Sequence, residues 1–175
     1  MKPRTFNSVM PINHQLWASS VLGMQPNPHK GPDLTDEKKV VEVKFALIHP
    51  GQYNHICWKA QGHQIDYSEQ GRNAYWGLGV YTLDRPIKQI KTKDPKKLEA
   101  MVQSRYLWIV PWEWAKQFPL YHHSGQTELS QWDHDIFFPK GRKVPKPTHA
   151  YNVEKGAVFL TPRVNPEDFN INVSS

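Results

Sequence analysis

The sequence predicts an α/β domain, on three observations. An apolar run rich in β-branched residues from Val40 to Ile48 is interrupted only by Glu42 and Lys44, which marks a strand buried on both faces along part of its length. An amphipathic stretch precedes it, and two further aromatic and branched runs follow at Ala74–Leu83 and Tyr106–Val110. Strand and helix patterns mixed this closely along one chain suggest a sheet with helices packed on it.

The elements follow in order. Ile12, Leu16, Trp17, Val21 and Leu22 lie on one helical face, with Asn13 as a candidate N-cap and Gly23 as a stop, so a helix is expected over Ile12–Leu22. Gln25–Gly31 breaks regularity, Pro32-Asp33-Leu34 begins a short extended piece, and Thr35–Lys39 is a turn. The strand Val40–Ile48 comes next. Gln52–Gly71 has a mixed pattern and is read as holding a helix. Ala74–Leu83 is a strand despite two glycines. Asp94-Pro95 opens a helix to about Ser104, because Asp caps well and Pro suits the first helical position. Tyr106–Val110 is a strand ended by Pro111, and beyond Pro119 only Ile136–Phe138 and Ala157–Leu160 are apolar islands.

A chain of 175 residues is one domain's length and buries roughly 70% of the surface its unfolded form exposes. We read a single domain over 1–175, with a core at about 12–118 and an irregular basic extension at about 119–175. Mean hydropathy is −0.68, yet seven Trp, seven Tyr and seven Phe need a core to cover them. One cysteine excludes an internal disulfide framework. No apolar run approaches the roughly 18 residues of a membrane span, and Met1–Met10 lacks the apolar stretch of a signal peptide. A cytoplasmic or nucleoid-associated protein, not secreted and not in a membrane, is therefore expected. The net charge of +6 points to a polyanionic partner.

Glu42 and Lys44 are two residues apart, so in a strand both side chains leave the same face. Holding them among valines is costly unless they are paired or bind a metal. A reversal through Thr35–Lys39 lays Asp33 beside Glu42, so that two carboxylates and one ammonium group converge. With the carbonyl of Val43, the carboxylates form a hard, oxygen-rich site suited to Mg²⁺ that retains several waters. A phosphodiester completes such a site, with Lys44 steadying the water or the developing charge.

These residues resemble a known pattern. Gly31-Pro32-Asp33-Leu34, then Val40-Val41-Glu42-Val43-Lys44, resembles the PD-(D/E)xK motif of the restriction-endonuclease-like nuclease superfamily over about residues 12 to 48. The resemblance implies a central mixed β-sheet flanked by helices, with Asp33 and Glu42 as metal ligands and Lys44 as the catalytic lysine. It further implies Mg²⁺ as cofactor, with Mn²⁺ as a substitute, double-stranded DNA as substrate, and products with 5′-phosphate and 3′-hydroxyl ends. Two departures stand out. No Asp or Glu precedes Asp33, so Asn13, His14 or Gln15 takes the place of the acid that many members carry on the first helix. Gln61 or Gln64 stands where many members carry a glutamine after the lysine strand.

The expected activity is a Mg²⁺-dependent, site-specific DNA endonuclease of restriction or homing type. A domain this small reads a palindrome by pairing symmetric copies, so a homodimer or larger homo-oligomer is expected. A Holliday-junction resolvase is the alternative within the class, and a non-catalytic basic DNA-binding or viral accessory protein the alternative outside it. Divalent-ion dependence separates enzyme from binder. Candidate phosphate contacts are Lys38, Lys39, Arg72, Lys140, Arg142 and Lys143, and Arg85, Lys88, Lys91, Lys93, Lys96 and Lys97 are further cations able to touch phosphates, each reading more readily as a solvated surface charge when taken alone. His49, His55, His63, His122, His123, His134 and His149 fit no zinc spacing. A ββα nuclease built on Asn54-His55 or His122-His123 is an enzymatic rival, and Cys57 reads as a small core residue.

Overall fold

The computed structural model describes residues 5–28, 31–48, 57–61, 73–112, 121–122, 129–133 and 147–174. The helix α1 (Phe6–Leu22) is followed by β1 (Gln25–Pro26), β2 (Leu34–Thr35), β3 (Lys39–Leu47), β4 (Cys57–Gln61) and β5 (Asn73–Leu83). Then come α2 (Pro95–Ala100), β6 (Val102–Pro111), β7 (Tyr121–His122), β8 (Leu129–Asp133), β9 (His149–Val153) and β10 (Gly156–Leu160). A seven-stranded sheet runs β1-β2-β3-β5-β6-β10-β9, and a three-stranded sheet runs β4-β8-β7. The large sheet is mixed: β3 pairs with β5 and β6 with β10 in parallel, and its other pairs are antiparallel. This is the α/β class the sequence predicts.

α1 begins six residues before the expected start at Ile12. Thr5 is the N-cap, in a capping box with Ser8, and the helix runs through Pro11. A proline inside a helix costs about 3 kcal/mol or more. The first turns offset this by burying Val9 and Met10 against Tyr81, Leu98 and Val102. Asn13, read as the cap, is instead buried mid-helix and donates to the Pro95 carbonyl at 3.0 Å. Gly23 ends the helix as expected, at φ 63.

The core lies between α1 and one face of the sheet. Ala18, Val21 and Leu22 meet Val41, Tyr75, Leu107, Ile109, Val158 and Leu160 there. Parallel register places Val41, Val43 and Phe45 of β3 opposite Tyr75, Gly77 and Gly79 of β5. The two glycines of β5 make room for what crosses them: a Cβ on Gly79 would overlap the Phe45 ring. Glu42 and Lys44 stand opposite Trp76 and Leu78 on the other face, where Trp76 stacks on Trp112 at 4.6 Å.

Three expectations are corrected. The helix expected within Gln52–Gly71 is replaced over Cys57–Gln61 by β4, in which Trp58 is buried and its indole N–H donates to the Gly79 carbonyl at 2.9 Å. The rest of that stretch, and Ile136–Phe138, lie outside the described residues. The helix at Asp94 stops at Ala100 instead of Ser104, because Val102 already starts β6 with its side chain in the core. The extension at 119–175 is not irregular where described. β9 and β10 join the large sheet beside β6, and Val158, Leu160, Val164 and Phe169 are core residues.

Candidate active site

The turn that brings the acids together is held locally. β2 and β3 pair antiparallel with Leu34 opposite Val41, so one step further Asp33 comes beside Glu42. Gly31 takes φ 138, a backbone state glycine tolerates. Asn27 then ties the segment, its Nδ2 donating to the Pro32 carbonyl at 3.0 Å and its N–H to the Asp33 carbonyl at 2.9 Å. Gln15 of α1 donates through Nε2 to the same Asp33 carbonyl at 3.0 Å. Asp33 Oδ2 accepts the Val43 N–H at 2.9 Å. The Asp33 carboxylate is thus fixed against the strand that carries Glu42 and Lys44.

Glu42 is 2% exposed, and Lys44, at 24%, holds its Nζ 3.5 Å from Glu42 Oε1. Burial, and then the neighbouring Asp33, push the Glu42 carboxyl up to about 8, against the pull of Lys44. Burial also raises Asp33, opposed by the Val43 N–H and by Lys44. A site that disfavours its own negative charges gains when a cation settles between them. Asp33, Glu42, Lys44 and Val43 line one cavity of about 320 Å³, together with Pro11, Ile12, His14 and Gln15 of α1. The sequence-predicted trio is therefore brought to one place. The donor set, two carboxylates and a nearby carbonyl, fits a hard divalent ion that keeps water in its shell. Among the described residues no cluster of three or more His, Cys, Asp or Glu forms a metal site.

His14 lines the same cavity but is held from behind. Its Nδ1 accepts from Arg105 Nε at 3.0 Å, which puts its proton on Nε2. Its ring stacks on Phe45 at 4.5 Å and meets Tyr81 at 4.2 Å. Burial, and then Arg105, lower its pKa to about 2, so it is neutral at physiological pH. Arg105 is 1% exposed and forms a two-pronged ion pair with Glu99 of α2, with Nη2 2.6 Å from Oε2. Sequence reasoning missed this Glu99–Arg105–His14 chain. Its signal was a lone Arg just ahead of Tyr106–Val110, at an inward-facing position once the strand is extended back to Val102.

The remaining candidates divide. Lys38 is exposed beside the β2–β3 turn. Lys39 is buried, pairs with Asp36, and lies 4.8 Å over the Phe169 ring, so the fold withdraws it from the phosphate contacts. Its neighbour Asp36 caps the turn and captures the ammonium group before it reaches solvent. Gln61 ends β4 in the small sheet instead of sitting on a helix. Arg72, Lys140, Arg142 and Lys143 lie outside the described residues, as do Gln64, Asn54, His49, His55, His63, His123 and His134. His149 is exposed on β9 and stacks on Tyr151 at 6.4 Å. No described helix is long and apolar enough to cross a membrane. Compared with family models, curated proteins and solved structures, the chain matches none, so the reading of the site rests on its own geometry.

Proposed function

We propose that this protein is a Mg²⁺-dependent DNA endonuclease with a restriction-endonuclease-like core, acting at specific sites as a homodimer or larger homo-oligomer. The observation that carries the reading is the meeting of Asp33, Glu42 and Lys44 in one cavity, with Asp33 fixed by Val43 and Glu42 held 3.5 Å from Lys44. Asp33, Glu42 and the Val43 carbonyl would hold the cation. When bound, it supplies Lewis acidity, polarising the phosphoryl group and making water a nucleophile at neutral pH. Lys44, far more exposed than Glu42, presents its ammonium protons to the phosphate oxygens and steadies the charge that develops on them. Glu42 keeps Lys44 oriented. Water loses a proton to solvent as its oxygen bonds to phosphorus, the bond to the 3′-oxygen breaks, and that oxygen takes up a proton from solvent, leaving 5′-phosphate and 3′-hydroxyl ends.

The test is incubation with mixed plasmid DNA in Mg²⁺ or in chelator. Discrete bands appear only with Mg²⁺, and Mn²⁺ substitutes. Asp33→Ala and Glu42→Ala abolish cleavage, and Lys44→Ala lowers it by about 10²–10³, the cost of losing one group that stabilises transition-state charge. A variant of any of the three that cuts at the wild-type rate in Mg²⁺ overturns the assignment.

A further inference from the structure

The thirteen residues from Arg85 to Lys97 carry six basic side chains, Arg85, Lys88, Lys91, Lys93, Lys96 and Lys97, against one acid, Asp94. This one connection therefore holds +5 of the chain's net +6. All six cations are exposed. Arg85 pairs with Asp84, and none of the five lysines is ion-paired with another described residue. Like charges gathered this closely repel one another, and an anion of extended shape relieves that repulsion.

The backbone under these charges is fixed. Gln89 and Ile90 donate their N–H groups to the Pro86 and Ile87 carbonyls in a 3₁₀ turn, and Ile90 packs inward on the Val9–Met10–Leu98 cluster. Asp94 caps α2 through the N–H groups of Lys96 and Lys97, which turns the one acid of the segment toward the backbone. The segment also lies next to the candidate active site. Asn13 bonds the Pro95 carbonyl, and its neighbours Ile12 and His14 line the cavity that holds Asp33, Glu42 and Lys44. α1 is thus the common wall between basic ridge and cleft.

We propose that the Arg85–Lys97 segment is the surface along which the phosphate backbone of a DNA duplex lies while one phosphodiester reaches the Asp33–Glu42–Lys44 cleft. The choice of duplex rests on the phosphodiesterase reading; the anionic character of the partner rests on the charge alone. A lipid surface fits less well, because Ile90 faces the core and Ile87 is the one exposed large aliphatic side chain among six cations, which is no apolar stripe. Each neutralised phosphate contributes a slope of about −0.9 in log K against log salt.

The experiment measures binding of a fluorescein-labelled 30-base-pair duplex to the full chain in chelator, from 50 to 300 mM NaCl, by anisotropy. Lys91→Gln is compared with Arg163→Gln, which removes the same charge from the exposed connection after β10. The ridge variant is expected to lower the salt slope by about 0.9 and to weaken binding at least about fivefold at 100 mM salt, and the control variant to stay within about twofold. Equal losses in the two variants overturn the proposal. So does a wild-type chain that ignores the duplex and binds vesicles containing 30% phosphatidylserine. Ridge-dependent binding without Mg²⁺-dependent cleavage supports the ridge and removes the nuclease reading; cleavage that persists in a ridge variant with unchanged affinity does the reverse.

Discussion

Replacing Glu42 by glutamine in the metal-free protein tests the electrostatics of the site without relying on activity. Glu42 titrates near 4.5 when exposed and near 8 when folded, so between those values the folded state holds a proton that the unfolded state has released. Stability then falls as pH rises, by about 1.4 kcal/mol per pH unit and by at most about 5 kcal/mol across the interval. Asp33, also raised, acts in the same direction. His14 acts in the opposite one: it is lowered from 6.5 to about 2, so unfolding takes up a proton and stability rises with pH up to 6.5. Between about pH 4.5 and 6.5 the Glu42 and His14 slopes oppose each other. Above 6.5 the His14 slope has ended, and the Glu42 slope contributes a loss of about 2 kcal/mol by pH 8. For a chain of this length that is a drop of about 4–8 °C in Tm. Thermal melts in chelator at pH 6.5, 7.25 and 8 measure it. Mg²⁺ favours the ionised carboxylates and recovers the loss, by about 2.7 kcal/mol at a hundredfold excess over its Kd. Glu42→Gln cannot ionise, so it removes the Glu42 share of the decline and weakens the Mg²⁺ response. A wild-type Tm that is flat or rising from pH 6.5 to 8 in chelator would falsify this account of the buried pair.

Two further outcomes follow from the residues around the site. Gln15→Leu removes the hydrogen bond from α1 to the Asp33 carbonyl; cleavage is expected to fall about tenfold and its Mg²⁺ dependence to shift to higher concentration, with stability changed by only about 1 kcal/mol. Glu99→Ala leaves the Arg105 guanidinium buried without its carboxylate; because Glu99 is 39% exposed, the cost is about 2–3 kcal/mol, below the 3–5 of a fully buried pair. Denaturant melts check the second prediction, and Glu99→Ala/Arg105→Met recovers much of the loss if buried charge is its origin.

The hairpin carrying the site was legible because its cues are local. A period of two puts Glu42 and Lys44 on one face, and Pro32, Gly31 and the polar turn before Lys39 leave the chain few ways to reverse. The start of α1 was hidden because Pro11 and Asn13 look like a boundary, and only tertiary burial of Val9 and Met10 makes the earlier turns worthwhile. β6 was read too short for a related reason: Arg105 looks like a surface residue until Glu99 and His14 are placed beside it by elements far away in sequence. Lys39 misled in the same manner, since its burial depends on Phe169, 130 residues further along. β9 and β10 were obscured by the Pro- and Lys-rich stretch before them, although Ala157–Leu160 already had the composition of a strand.

The parallel pairing of β10 with β6 has a consequence for biosynthesis. Asp33, Glu42 and Lys44 leave the ribosome early, but the layer beneath them is shared with Val158, Leu160 and Phe169. Until those residues emerge, β6 is a bare edge and the packing around α1 lacks one side. A chain translated only as far as β6 therefore carries the chemical groups of the cleft without the scaffold that holds them in register, so competence arrives only once β9 and β10 have been made.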